Sequence, residues 1–124
     1  MENTMKLVLL TEDDRLAETL RQAVGGQGHA VVTVSGEQVL ETETLPDGDA
    51  VVVDERCWQR HASMFRYFGV LRVFQGRPFG LIASRRGMRL KAANRKPDAV
   101  MFRGFGASEA LESVAILNRA LASF

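Results

Sequence analysis

The chain has 124 residues, 46% of them hydrophobic and 25% charged, with a formal net charge of +1. That suits one globular domain spanning residues 1–124, with enough length for a core but not for two. It excludes a global electrostatic pull toward nucleic acid or a membrane surface, and no apolar run approaches the ~20 residues a membrane-spanning helix needs.

Lys6-Leu-Val-Leu-Leu10 reads as the first strand. Thr11-Glu-Asp-Asp14 follows, offering a hydroxyl or carboxylate to cap a helix. That helix carries Leu16, Leu20, Ala23 and Val24 at spacings of three and four, so one face is apolar. Gly25, Gly26 and Gly28 end it. His29 to Val34 reads as the second strand, and a weak helix opens at Ser35 and stops before Pro46-Asp-Gly48. Gly48-Asp-Ala-Val-Val-Val-Asp54 is the third strand. Its three consecutive valines suit a strand buried on both faces, as in the middle of a parallel sheet. From Trp58 to Phe74, Met64, Phe65, Phe68 and Leu71 recur at helical spacing, until Gly76-Arg-Pro78 breaks the pattern. Phe79 to Ala83 is the fourth strand. Gly87 to Arg95 reads as a short basic helix closed by Lys96-Pro97. Ala99 to Phe102 is the fifth strand and Arg103-Gly-Phe-Gly106 a turn. A last helix starts near Ser108, a plausible N-cap, and buries Ala110, Val114, Leu117 and Leu121.

Five strands alternating with five helices predict an α/β fold with right-handed crossovers. The natural closure is a flavodoxin-like doubly wound parallel sheet of order 2-1-3-4-5, helices on both faces. In that order strands one, three, four and five are consecutive neighbours. The groups at their carboxyl ends therefore converge: Thr11, Glu12 and Asp13; Asp54; Ala83 and Ser84; Arg103. Clustered carboxylates repel unless a cation joins them, and removing one is expected to relieve that repulsion. Oxygen donors of this kind suit Mg²⁺ with waters retained. A hydroxyl and a guanidinium opposite suit phosphoryl oxygens. The pattern points to Mg²⁺-assisted phosphoryl transfer to or from Asp54.

Over nearly its whole length the chain resembles the receiver domain of two-component response regulators. The matching stretches are Leu9 to Arg15, Val52-Val-Asp54, Ile82-Ala-Ser84 and Pro97 to Phe105. The resemblance implies a non-enzymatic, cytoplasmic phosphorelay module with Asp54 as phosphoacceptor. It implies Mg²⁺ held by Glu12, Asp13, Asp54 and the backbone carbonyl of Arg56, with Ser84 and Arg103 contacting the phosphoryl group. The acidic pair is Thr11-Glu12 if the apolar face of the first helix is aligned, and Glu12-Asp13 if charge is aligned. The hydroxyl slot falls on Ser84 or on Ala83. Implied partners are a histidine kinase or phosphotransfer protein, and a second copy or downstream regulator. Neither a membrane nor nucleic acid is expected to bind through this domain.

Several positions depart from the family pattern. Arg103 stands where the family has lysine, Gly104 where it has proline, and Val100 where an aromatic is usual. Glu55-Arg-Cys-Trp-Gln-Arg60 replaces the usual segment after the phosphoacceptor. Arginine is a planar fork rather than a point donor, so the exchange is not conservative. These departures support an alternative: a pseudo-receiver that docks or dimerises without phosphorylation. A flavin binder is disfavoured, because Glu12-Asp-Asp14 would repel a phosphate.

Blander roles stand beside these. Asp54 is read as a helix cap, Glu12 to Asp14 as helix-dipole partners, and Arg103 as a simple ion-pair partner of Asp54. Cys57 and His61 show no partner at ligand or triad spacing. The basic run from Arg85 to Lys96 reads as a solvated face or a docking surface for an acidic partner or nucleic acid. The aromatics Trp58, Phe65, Tyr67, Phe68 and Phe74 read as core, with a side able to bind protein. The single cysteine excludes an internal disulfide, and the short polar start, unlike a signal peptide, gives the intracellular expectation. With no output domain expected after Phe124, the chain acts by direct contact or is a segment of a larger regulator.

Overall fold

The computed structural model describes residues 4–67, 76–84 and 96–123. Its elements are β1 (Lys6–Leu10), α1 (Asp14–Gly25), β2 (Ala30–Val34), α2 (Gly36–Thr42), β3 (Ala50–Asp54), α3 (Glu55–Tyr67), β4 (Phe79–Ala83), β5 (Ala99–Phe102) and α4 (Ala107–Leu121). The five strands form one sheet in the order β2-β1-β3-β4-β5, and every pairing is parallel. This is the doubly wound order the strand spacing predicts.

The period-two alternation of the strands divides the core into two layers. Leu7, Leu9, Ala50, Val52 and Ile82 face α1 and α4, against Leu16, Leu20, Val24, Val114 and Leu117. Val8, Leu10, Val51, Val53, Phe79 and Leu81 face the other way, against Val39, Cys57 and the half-buried Trp58. All five residues of β3 and of β4 are buried. Each large apolar side chain so enclosed contributes roughly 1.5–3 kcal/mol. Gly48 lets the chain enter β3 beside β1: a Cβ there would stand 2.6 Å from Val8 Cγ2 and 3.1 Å from the Lys6 carbonyl oxygen.

Four boundaries differ from the sequence expectation. The second strand begins at Ala30, because His29 turns its Nδ1 onto the Met5 N–H, 3.0 Å away. The third begins at Ala50, since Asp49 spends its carboxylate on the Lys6 N–H at 2.8 Å. The last helix is capped by Gly106, in extended backbone and with no side-chain cap; Ser108 lies inside its first turn. α3 starts at Glu55 rather than Trp58, directly after the last residue of β3. The expected basic helix at Gly87 to Arg95 and the stretch from Phe68 to Phe74 lie outside the described residues. No described helix is long and apolar enough to cross a membrane.

Candidate functional site at the carboxyl edge of the sheet

The strand register fixes which groups meet. Leu10 sits beside Val53, Asp54 beside Ile82, and Ala83 beside Phe102. The next residue of each strand therefore emerges at one edge. Thr11, Asp13, Asp54 and Arg103 come together there.

Asp54 is 2% exposed. An ionised carboxylate has about four acceptor positions, and here all are engaged. Oδ1 accepts from Arg103 Nη2 at 3.0 Å and from the Arg56 N–H at 3.2 Å; Oδ2 accepts from Arg103 Nη2 at 2.8 Å and from the Thr11 hydroxyl at 2.7 Å. The Arg56 contact is that of an N-cap to the second residue of its helix. Asp54 is thus at once the last residue of β3 and the cap of α3, which explains why no loop separates the two.

Arg103 also donates from Nη1 to Asp13 Oδ2 at 2.9 Å. It bridges two carboxylates that would otherwise repel. A tight turn aims it: the Phe105 N–H closes onto the Phe102 carbonyl at 3.1 Å, with Gly104 at φ +91°. That is the left-handed position a type II turn gives to glycine. Burial alone would lower the Arg103 pKa, but the hydrogen bonds and charges of Asp13 and Asp54 outweigh it and the guanidinium is held above its usual value. Its Nε is buried without a hydrogen-bond partner.

Asp13 caps α1, its Oδ1 accepting the Arg15 and Leu16 N–H groups at 3.0 and 3.1 Å. The Arg103 hydrogen bond, then that of Leu16, holds its carboxyl below the usual value of 3.8. Thr11, 5% exposed, accepts from the Asp13 N–H at 3.1 Å while donating to Asp54, so its hydroxyl ties the two acids together.

Other candidates are turned elsewhere. Ser84 does not bond Asp54; its N–H and hydroxyl each lie 3.3 Å from Glu55 Oε1. Glu55 is a buried carboxylate, 2% exposed, that the sequence pattern does not single out. Glu12 reaches across to α3, 3.4 Å from Arg60 Nη1 and 3.1 Å from His61 Nε2. The Arg56 carbonyl belongs to the first turn of α3, where carbonyls point along the helix toward the residue four on.

The donor set for a hard divalent ion is therefore present in number but not gathered. Among the described residues, the trio of ligand atoms lying within 4.8 Å of one another is Glu12, Cys57 and His61. Glu12, Asp13 and Asp54 do not form such a group. They do line one cavity of about 210 Å³, shared with Cys57 and Arg103. Cys57 and His61 have the partner that their spacing alone did not disclose. The signal was their i, i+4 separation, which puts both on one face of a helix. Burial, then the charge of Glu12, pushes the Cys57 thiol up to about 12.

No family model and no curated protein matches the sequence. Solved structures do. NtrX from Brucella abortus, in complex with ADP, superposes with a TM-score of 0.71 at 14% identity, over 98% of this chain and 27% of that one. This chain therefore spans about a quarter of NtrX. A CheY-like response regulator receiver domain from Methylobacillus flagellatus gives a TM-score of 0.67 at 15% identity, over 96% of this chain and 99% of that one. A response regulator receiver protein from Sinorhizobium medicae WSM419 gives 0.59 at 20% identity, covering 93% and 95%. The chain has the fold of response regulator receiver domains.

Proposed function

We propose that this chain is a receiver-type signalling domain that works by protein contact, without phosphoryl switching. One observation carries this: the Asp54 carboxylate is already closed, each oxygen hydrogen-bonded to Arg103 and to one further donor. A phosphoryl group would have to displace a part-buried cation held at the same time by Asp13. Thr11, which in this sheet register stands next to Asp54, brings a hydroxyl where a metal site would want a carboxylate. The partner is then a downstream regulator or a second copy, and the domain is a module rather than an enzyme.

The test records backbone amide shifts with and without beryllofluoride and Mg²⁺, for wild type and Arg103→Lys. Under this proposal wild type shows shifts confined to the acidic pocket, and they spread through residues 84–105 in Arg103→Lys. Large wild-type shifts across residues 84–105 overturn it.

The second reading keeps Asp54 as phosphoacceptor, Mg²⁺ as cofactor and a histidine kinase or phosphotransfer protein as donor. The shared cavity lined by Glu12, Asp13 and Asp54 favours it. It requires Arg103 to leave Asp54, Glu12 to leave His61, and Ser84 to leave Glu55.

A further inference from the structure

We infer that Glu12, Cys57 and His61 form a site for a thiophilic divalent transition-metal ion, with Zn²⁺ as the natural occupant. The inference uses neither Asp54 nor Asp13, but it rests on Glu12 staying with His61, as in the first reading above and not in the second.

The site is assembled from two elements that the fold holds in place. Cys57 and His61 stand one turn apart on α3. Glu12 projects from the β1–α1 connection onto the same face. The three ligand atoms, one each from thiol, imidazole and carboxylate, all lie within 4.8 Å of one another. His61 Nε2 and Glu12 Oε2 are already 3.1 Å apart, the spacing of two ligands on one ion. The centre of so small a triangle lies at most about 2.8 Å from its corners, about 0.5–0.8 Å beyond Zn–ligand bond lengths, so the ligands close in slightly on binding. The His61 side chain is 11% exposed and that of Glu12 24%, and Cys57 is 3% exposed. The ligands therefore need little ordering on binding.

The surroundings fit. His61 stands against the bare backbone of Gly36, where a Cβ would come within 2.7 Å of Nε2. Residue 36 must lack a side chain for the imidazole to hold this position. Glu12 and Cys57 also line a cavity of about 210 Å³, in which water could supply a fourth ligand. Among the described residues, Arg60 pairs with Glu12 and Arg56 and Arg103 line the same cavity; Arg60 stands against binding at Glu12 itself. It is an exposed arm at 3.4 Å, and such a pair is weak. On binding, the thiol proton passes to solvent and His61 takes the Nδ1–H tautomer, freeing Nε2 for the metal.

Donor chemistry sets the selectivity. Thiolate and imidazole suit Zn²⁺ and its neighbours, whereas Mg²⁺ takes oxygen ligands. The site therefore selects a different ion from the acidic pocket, with which it shares Glu12.

The test titrates reduced, metal-stripped full-length protein with Co²⁺, then with Zn²⁺, in excess Mg²⁺. A sulfur-to-cobalt charge-transfer band that Zn²⁺ bleaches is expected, and Mg²⁺ leaves it unchanged. Cys57→Ser removes the band. Because Cys57 is buried and that variant can misfold, Glu12→Gln and His61→Ala provide the second arm. Checked as folded by circular dichroism, each should weaken Zn²⁺ binding by more than about tenfold, since loss of even an outer-shell partner costs that much. Absence of the band overturns the inference. So does Zn²⁺ affinity that is unchanged in both Glu12→Gln and His61→Ala, or that falls instead in Asp13→Asn.

Discussion

Nη2 of Arg103 lies 3.0 Å from one oxygen of Asp54 and 2.8 Å from the other, while Nη1 of the same guanidinium lies 2.9 Å from Asp13. One cation thus holds together the end of β3, the start of α1 and the turn after β5. It accounts for how two carboxylates stand side by side at the carboxyl edge.

The sign of one substitution follows. Clustered unpaired carboxylates would make Asp54→Asn stabilising. With Arg103 between Asp13 and Asp54 the variant instead weakens the charge-assisted contacts of Arg103 Nη2 with residue 54. Asp13 still pairs with Arg103, so the expected loss is about 2 kcal/mol, below that of breaking a fully buried pair. Urea denaturation in the absence of divalent ions reads it. A gain in stability would show that repulsion dominates.

Thr11→Val keeps the shape and deletes the hydroxyl. The Asp13 N–H loses its acceptor and Asp54 one of its donors. At a buried position this should cost about 1–2 kcal/mol, measured by the same denaturation. A neutral result would show that water replaces the hydroxyl.

The pH dependence has a definite direction. Asp13 has its carboxyl lowered below 3.8, first by the Arg103 hydrogen bond. A group depressed in the folded state contributes stability that is present above its unfolded pKa and lost as pH falls through the folded one. Stability should therefore decline on acidification below 3.8, and Asp13→Asn, which preserves a good N-cap, should flatten that decline. Equal acid sensitivity in the two proteins would remove Arg103 as the cause.

How much of this the sequence discloses depends on the kind of signal. β1, β4 and β5 are unbroken apolar runs between polar ends, and their limits are readable to the residue. The approach of Arg103 to Asp54 is also readable, because in a parallel sheet of known order the strand ends must meet. The start of α3 is not, because Asp54 serves as strand end and helix cap together and leaves no loop to mark the change. The cap of α4 is hidden for the opposite reason: Gly106 caps without a side chain, so Ser108 looks like the better candidate. The directions of Ser84 and Glu12 depend on partners across the fold, the buried Glu55 and the part-buried His61, that no local pattern names.

That bare cap gives a stabilising prediction. Gly106 has extended backbone with open space where a Cβ would go. Gly106→Ser should add a side-chain acceptor for the first turn of α4 and reduce unfolded-state entropy, a gain of about 0.5–1 kcal/mol. A thermal melt that does not rise would show that the first turn is already satisfied.

The central claim, that Arg103 keeps Asp54 closed to a phosphoryl group, is tested most directly by intact mass. The protein is incubated with a small phosphodonor and Mg²⁺, quenched, and weighed beside Asp54→Asn. The account predicts no mass gain of a phosphoryl group in either protein. Near-complete gain in wild type that is absent from Asp54→Asn would contradict it.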